Sequence, residues 1–285
     1  MHPYAQQIQK FSTKLEPKPT GIAPVLSAQK NIKACIFDIY GTLFMSGCGD
    51  ISLVEGTNRD QILQEVLHTH QFSTQSTNLS NCFYNCIHRQ QKIRRSEGID
   101  YPEIEIRDVW KTFLKETGIT NVEKEAIEHM AIDYECRVNP IWPMPNLQKT
   151  LKSLREKGIL LGIVSNAQFF TPHLFETFTG KTIPENGFEN DLCIYSYKLH
   201  IGKPSLKIYH PLIEALSKRS IKPQEALFVG NDLRNDVWPA QDVGMRGVLF
   251  AGDNRSLRLR EDDSRSTKQP ANAIITDLEQ IPELI

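Results

Sequence analysis

Apolar positions along this chain follow two alternating rhythms. Short, nearly continuous apolar runs at Ile32–Phe37, 159–164, 192–195, 226–229, 247–250 and 273–275 have the length of buried strands. Between them the spacing becomes helical, over 146–157, about 168–178, 205–218 and 235–243, with Gly158 and Gly244 standing where helices stop. This alternation predicts an α/β fold, a Rossmann-like parallel sheet core with helices on both faces. The chain shows no internal repeat.

Residues 51–137 break the alternation. Ile62, Val66 and Leu67, and then Ile104, Val109, Trp110, Phe113 and Leu114, recur at helical spacing with few strand-like runs between them. The stretch reads as an inserted helical cap domain, closed by a proline-rich hinge at 140–145, which leaves 32–50 and 138–285 as the core. Residues 1–31 carry Pro17, Pro19 and Pro24 and read as an extended arm. Residues 252–270 are charged and serine-rich and read as a loop or mobile segment.

Composition narrows the function without naming it. With 285 residues, 40% hydrophobic and a net charge of −1, the chain can bury a sizeable core and lacks the basic face of a nucleic-acid binder. No run of about 20 apolar residues predicts a membrane span, and the first thirty residues lack a signal-peptide core, so a cytoplasmic location is expected. The six cysteines match no zinc spacing and read mainly as buried thiols, although Cys82 and Cys86 share a helical face. Monomer and homodimer are both compatible with the sequence.

Four polar segments follow apolar runs, where an α/β sheet delivers side chains to a common crevice. The first is Asp38-Ile39-Tyr40-Gly41-Thr42-Leu43, after the first strand. Asp38 reads either as a nucleophile forming an ester intermediate or as an acid that organises the Gly41–Thr42 turn. Ser165 and Asn166 follow the next strand and suit either an oxyanion contact or a helix N-cap. Lys203, between Gly202 and Pro204, is a surface lysine or the counter-charge for clustered acids. Asn231, Asp232 and Asp236 stand at a strand-to-helix junction, where acids either answer the helix dipole or hold Mg²⁺ together with Asp38 and the Tyr40 carbonyl. Asp236 reads alternatively as the residue that orients Lys203.

In order and spacing these segments resemble the four motifs of the haloacid dehalogenase (HAD) superfamily of hydrolases. The resemblance covers about 32–45 and 140–285, with 46–139 in the place of a helical cap. It implies a HAD-like core, a covalent aspartyl intermediate on Asp38, a phosphate-binding hydroxyl on Ser165, the motif lysine at Lys203, a metal end at 231–236 and usually Mg²⁺. A small anionic metabolite is the implied partner, contacted also by Thr42 and Asn166, and neither nucleic acid nor membrane is expected.

Two departures divide the functional reading. Phosphatases of this superfamily carry a second Asp two residues after the nucleophile, where this chain has Tyr40, and a phenol with pKa about 10 is a poor acid for a leaving alcohol. Asp-x-Tyr-Gly-Thr-Leu has the look of metal-independent 2-haloacid dehalogenases, in which cap arginines take the substrate carboxylate; Arg89 and Arg94 are the candidates here. Gly230-Asn231-Asp232 with Asp236 is instead closer to the metal-binding form. The leading expectation is a Mg²⁺-dependent phosphatase on a small phosphorylated metabolite. A dehalogenase and a catalytically silent binding protein on the same fold are the alternatives.

Overall fold

All four residues of the first strand are buried, and their side chains alternate between two faces that divide the core. Cys35 and Phe37 pack with Leu161, Ile163, Leu227 and Val229 on one face of a sheet, while Ala34 and Ile36 pack with Val164, Leu192, Ile208 and Phe228 on the other. The computed structural model describes residues 1–47 and 59–285; the expected core-to-cap boundary at residues 50 and 51 lies outside them. Six parallel strands run in the order β5 (Phe188–Tyr195), β4 (Leu160–Ser165), β1 (Ala34–Phe37), β6 (Ala226–Gly230), β7 (Arg246–Phe250) and β8 (Ala273–Ile275). Phe37 pairs with Ile163 on one side and Val229 on the other. The chain thus reverses its winding direction at β1, and the crevice of such a reversal lies beyond the strand C-termini.

Between two short strands, β2 (Phe44–Ser46) and β3 (Ile141–Pro143), the described chain builds a helical layer in the stretch where a cap was expected. Helices α2 (Arg59–Thr69), α3 (Leu79–Ser96), α4 (Ile106–Glu116) and α5 (Lys124–Val138) form it. Phe83, Trp110, Phe113 and Tyr134 make its aromatic centre, with ring centroids 5.2–5.8 Å apart. β2 and β3 pair antiparallel, so the proline-rich stretch expected as a hinge contributes one strand of the ribbon joining cap to core.

Three local expectations need correction. The arm is not extended throughout, because α1 (Pro3–Phe11) precedes Pro17, and its own Pro3 stands in the first turn, where a missing N–H costs nothing. α1 lies against both α5 and α7 (His173–Thr179). The Tyr4 hydroxyl donates to Glu128 at 2.5 Å, Gln7 Nε2 donates to the His129 carbonyl at 2.8 Å, and Thr177 Oγ1 donates to the Ala5 carbonyl at 3.1 Å. It therefore straps cap to core. Second, the helices expected at 205–218 and 235–243 are each broken. A 3₁₀ turn at Leu206–Tyr209 leads into a helix at His210–Lys218, and a π-helical turn at Leu233–Val237 leads into one at Trp238–Asp242, with Pro211 and Pro239 opening the second segments. Third, the segment 252–270 packs along the end of β6, as described below.

A buried polar chain crosses the ribbon. Ser46 Oγ donates to Asn139 Oδ1 at 2.8 Å, and Asn139 Nδ2 donates to Glu135 Oε1 at 3.3 Å. Burial pushes the Glu135 carboxyl up to about 7. Between its ordinary value of 4.5 and about 7, the folded chain keeps a proton that the unfolded chain has lost, so this group lowers stability as pH rises through that window. Glu135→Gln is expected to stabilise the chain at slightly alkaline pH by on the order of 2–3 kcal/mol. The gain should fade as pH falls to 4.5, which thermal melts across pH would check.

Candidate active site

The end of β1 delivers Asp38, which the backbone fixes through its N–H to the Val229 carbonyl at 3.0 Å. The end of β4 delivers Ser165, whose hydroxyl donates to Asp38 Oδ1 at 2.9 Å. Lys203 arrives on the loop after β5, and its Nζ donates to the same Asp38 oxygen at 2.6 Å and to Asp236 Oδ1 at 2.6 Å. The three charged groups are shut in, with Asp38 and Lys203 each 6% exposed and Asp236 2%. Among the described residues nothing hydrogen-bonds Asp38 Oδ2. One oxygen of this carboxylate is held by two donors and the other by none among the described residues.

The other expected residues mostly position these. Asn166 accepts from the Lys203 backbone N–H at 2.7 Å and donates to its carbonyl at 3.3 Å, so its amide brackets the lysine main chain. Thr42 Oγ1 donates to Asn231 Oδ1 at 3.0 Å, and Asn231 Nδ2 donates to the Ser256 carbonyl at 2.6 Å. Gly41, at φ +84°, makes this possible: a Cβ there would sit 2.8 Å from Asn231 Nδ2. Gly230 does the same for Asp236, whose Cγ would lie 2.5 Å from an added Cβ.

The acids of the last motif are committed inside the protein. Asp236 Oδ2 accepts from the Asp232 N–H at 3.0 Å, while its Oδ1 holds Lys203, the orienting role expected as its alternative. Asp232, expected as a metal ligand, turns away to cap the following turn through the Arg234 N–H at 2.9 Å and pairs with the Arg260 guanidinium through both oxygens. Arg260 belongs to the segment expected as loose, and Arg258 N–H donates to the Asn231 carbonyl at 3.0 Å, so that segment walls the site.

Tyr40 is turned to Thr171, with 2.9 Å between the hydroxyl oxygens. Burial, with Glu135 nearby, raises the phenol well above its ordinary value and keeps it protonated. The cap reaches the site by the loop between α3 and α4. Pro102 bridges to Ile201, Glu103 accepts from Ser196 Oγ at 2.8 Å, and Gln168 Nε2 donates to the Ile104 carbonyl at 3.0 Å. Arg89 is held within the cap, on Glu116 at 2.5 Å and Cys86 at 3.3 Å, so the expected substrate contact is replaced by an internal ion pair. Arg94 lies in the last turn of α3, close enough to His200 on the core to lower the imidazole pKa after burial has done so. Thr171, Gln168, Glu103 and Arg260 carried no motif and were not expected at the site.

Electrostatics follow from the burial. It opposes the Lys203 ammonium, but Asp236 and Asp38 outweigh it and the net shift is upward. Burial raises the Asp236 carboxyl to about 7 despite the lysine. As pH falls through that value, Asp236 takes a proton and its hold on Lys203 weakens.

A strand-end carboxylate, hydroxyl and ammonium thus converge beneath a helical layer. Residues 32–244 match the haloacid dehalogenase-like hydrolase family, and the chain belongs to it. Among curated relatives, a glyceraldehyde 3-phosphate phosphatase of Methanopyrus kandleri is 26% identical over 234 residues, 81% of this chain and 90% of that protein. One of Methanothermobacter thermautotrophicus is 28% identical over 153 residues, 50% of this chain and 58% of that protein; against that relative the chain spans just over half its length. A 2-haloacid dehalogenase from Pseudomonas syringae shares the fold, with a TM-score of 0.55 and 21% identity over 89% of this chain and 97% of that one.

Replacing Lys203 tests the arrangement directly. Lys203→Met leaves Asp38 and Asp236 buried without their shared counter-charge. Turnover is expected to fall by about 10³-fold or more and stability by on the order of 3–5 kcal/mol, read by steady-state rates and urea unfolding. Unchanged turnover would remove the lysine from the chemistry.

Proposed function

We propose that this chain is a Mg²⁺-dependent phosphatase acting on small phosphorylated metabolites through Asp38. The observation that carries this reading is the asymmetry of the Asp38 carboxylate, with Oδ1 held by Ser165 and Lys203 and Oδ2 unengaged. Oδ2 attacks phosphorus, the ester P–O bond breaks, and the alcohol oxygen leaves with the bonding pair. Water then attacks the Asp38-bound phosphoryl group, which releases inorganic phosphate and restores the carboxylate. Lys203 offsets the negative charge that gathers as the bonds change. The names of the relatives agree with a small phosphorylated substrate.

The metal donors are all oxygen, as Mg²⁺ prefers. The Asp38 carboxylate, through the oxygen that does not attack, the Tyr40 carbonyl and Asn231 Oδ1 would hold it, with waters completing the shell, and the ion would neutralise phosphoryl charge. Only one of the three is a carboxylate, since Asp232 is taken by Arg260 and Asp236 by Lys203. That is a weak set. Asn231→Asp is expected to lower the half-saturating Mg²⁺ concentration by roughly tenfold, about 1.4 kcal/mol, measured as activity against metal concentration.

Tyr40 limits the choice of leaving group. A half-buried phenol raised well above its ordinary pKa donates its proton poorly, so aryl phosphates should turn over faster than alkyl phosphates. Phosphate release from p-nitrophenyl phosphate is the first assay. It should vanish with EDTA, return with Mg²⁺ and drop by about 10³-fold or more in Asp38→Asn. Halide release from 2-chloropropionate, with no phosphate release from any ester, would overturn this in favour of the dehalogenase.

A further inference from the structure

Within the cap, α3 and α4 bring two thiols and a carboxylate together. Cys82 and Cys86 stand one turn apart on the same face of α3, and Glu116 is the last residue of α4. Both sulfurs point at one oxygen: Cys82 Sγ lies 3.7 Å and Cys86 Sγ 3.6 Å from Glu116 Oε2. All three atoms fall within 4.8 Å of one another.

These spacings fit a particular ligand geometry. A tetrahedral ion with metal–sulfur bonds of about 2.3 Å and metal–oxygen bonds of about 2.0–2.2 Å has sulfur–oxygen edges of about 3.5 Å. The two measured edges already lie within about 0.2 Å of that value. Cys86 is buried and Cys82 half-buried, which anchors the sulfurs, whereas Glu116 is exposed. A surface groove lined by Asn85, His88, Arg89, Lys92 and Glu116 opens beside it and gives a fourth vertex access to water.

The group also attracts positive charge. Arg89 Nη2 donates to Cys86 Sγ at 3.3 Å and to Glu116 Oε1 at 2.5 Å. Its side chain is the more exposed partner of the ion pair, 54% against 34%, so it can swing into solvent and leave the carboxylate to another cation.

We propose that Cys82, Cys86 and Glu116 bind a thiophilic divalent cation of the Zn²⁺ class, with water as fourth ligand. On binding, each thiol releases a proton to solvent as its sulfur ligates the ion, and the Arg89 guanidinium leaves Glu116. Thiolates select for such ions against Mg²⁺, so this site and the all-oxygen set around Asp38 differ in preference. The ion would pin α3 to α4 at the rim of the aromatic cluster of Phe83, Trp110 and Phe113, and its role is structural.

Cobalt reports thiolate ligation by colour, which separates this site from Asp38. The full chain, reduced and freed of metal with a chelator, is titrated with Co²⁺ and then with Zn²⁺. The expected result is a near-ultraviolet thiolate-to-cobalt charge-transfer band that saturates at about one ion per chain and is bleached by Zn²⁺. Cys82→Ser/Cys86→Ser should abolish the band, Glu116→Gln should weaken binding by about tenfold or more, and Arg89→Ala should keep it. No charge-transfer band with the native chain would overturn the proposal, as would a band undiminished in the double serine variant, or closure of the two thiols into a disulfide where ion binding is expected. The readout needs no hydrolase activity, so it fails or succeeds apart from the phosphatase reading.

Discussion

Lys203 brings one positive charge to a place where Asp38 and Asp236 bring two negative ones, and all three are shut away from water. Two buried carboxylates repel strongly where solvent cannot screen them, and the fold tolerates the pair because the ammonium sits 2.6 Å from each. Much of the surrounding structure serves that position. Asn166 holds the lysine backbone from both sides, Gly230 leaves room for the Asp236 carboxyl, and the Asp232 amide takes up the second Asp236 oxygen. The result is a carboxylate at residue 38 with one oxygen fixed and one available.

The last motif shows what this arrangement withholds. It contains two acids and an amide, yet neither acid is available to an ion, because one guards Lys203 and the other is drawn to Arg260. Asn231 contributes a neutral oxygen that already receives the Thr42 hydroxyl. In the proposed mechanism, metal affinity would therefore rest on Asp38 more heavily than the count of nearby carboxylates suggests. Tyr40 stands where an acid would serve the leaving group in the proposed mechanism, and its half-buried phenol leans on Thr171. In the proposed mechanism the two departures bear on different steps, metal binding and leaving-group protonation.

What could be read from the sequence was what depends on local order. Apolar runs followed by Asp38, Ser165 and Asn231 marked strand ends, because a strand buried on both faces leaves a plain signature and its exit residue must be polar if it meets solvent. Helical spacing marked the cap for the same reason. The partnerships across the chain were not legible. Tyr40 meets Thr171 at a separation of 131 residues, and Arg260 reaches back 28 residues from a segment whose composition suggested looseness. α1 was missed because prolines at 17, 19 and 24 weighed on residues they do not touch, and the ribbon strand at 141–143 was hidden by its own prolines. Charge pattern on α3 offered Arg89 to a substrate, but its partner was Glu116 on a neighbouring helix.

The strap formed by α1 has a consequence for how the molecule is assembled. Its contacts reach residues 124 and 172 positions away, so it has nothing to dock on until both α5 and α7 are in place. Closing such long loops costs chain entropy that few early contacts offset. Besides this helix, the ribbon, the loop at 97–105 and the start of α4 tie the helical layer to the sheet among the described residues. Docking α1 closes both loops at once, so one short helix joins parts of the chain that the sequence keeps far apart.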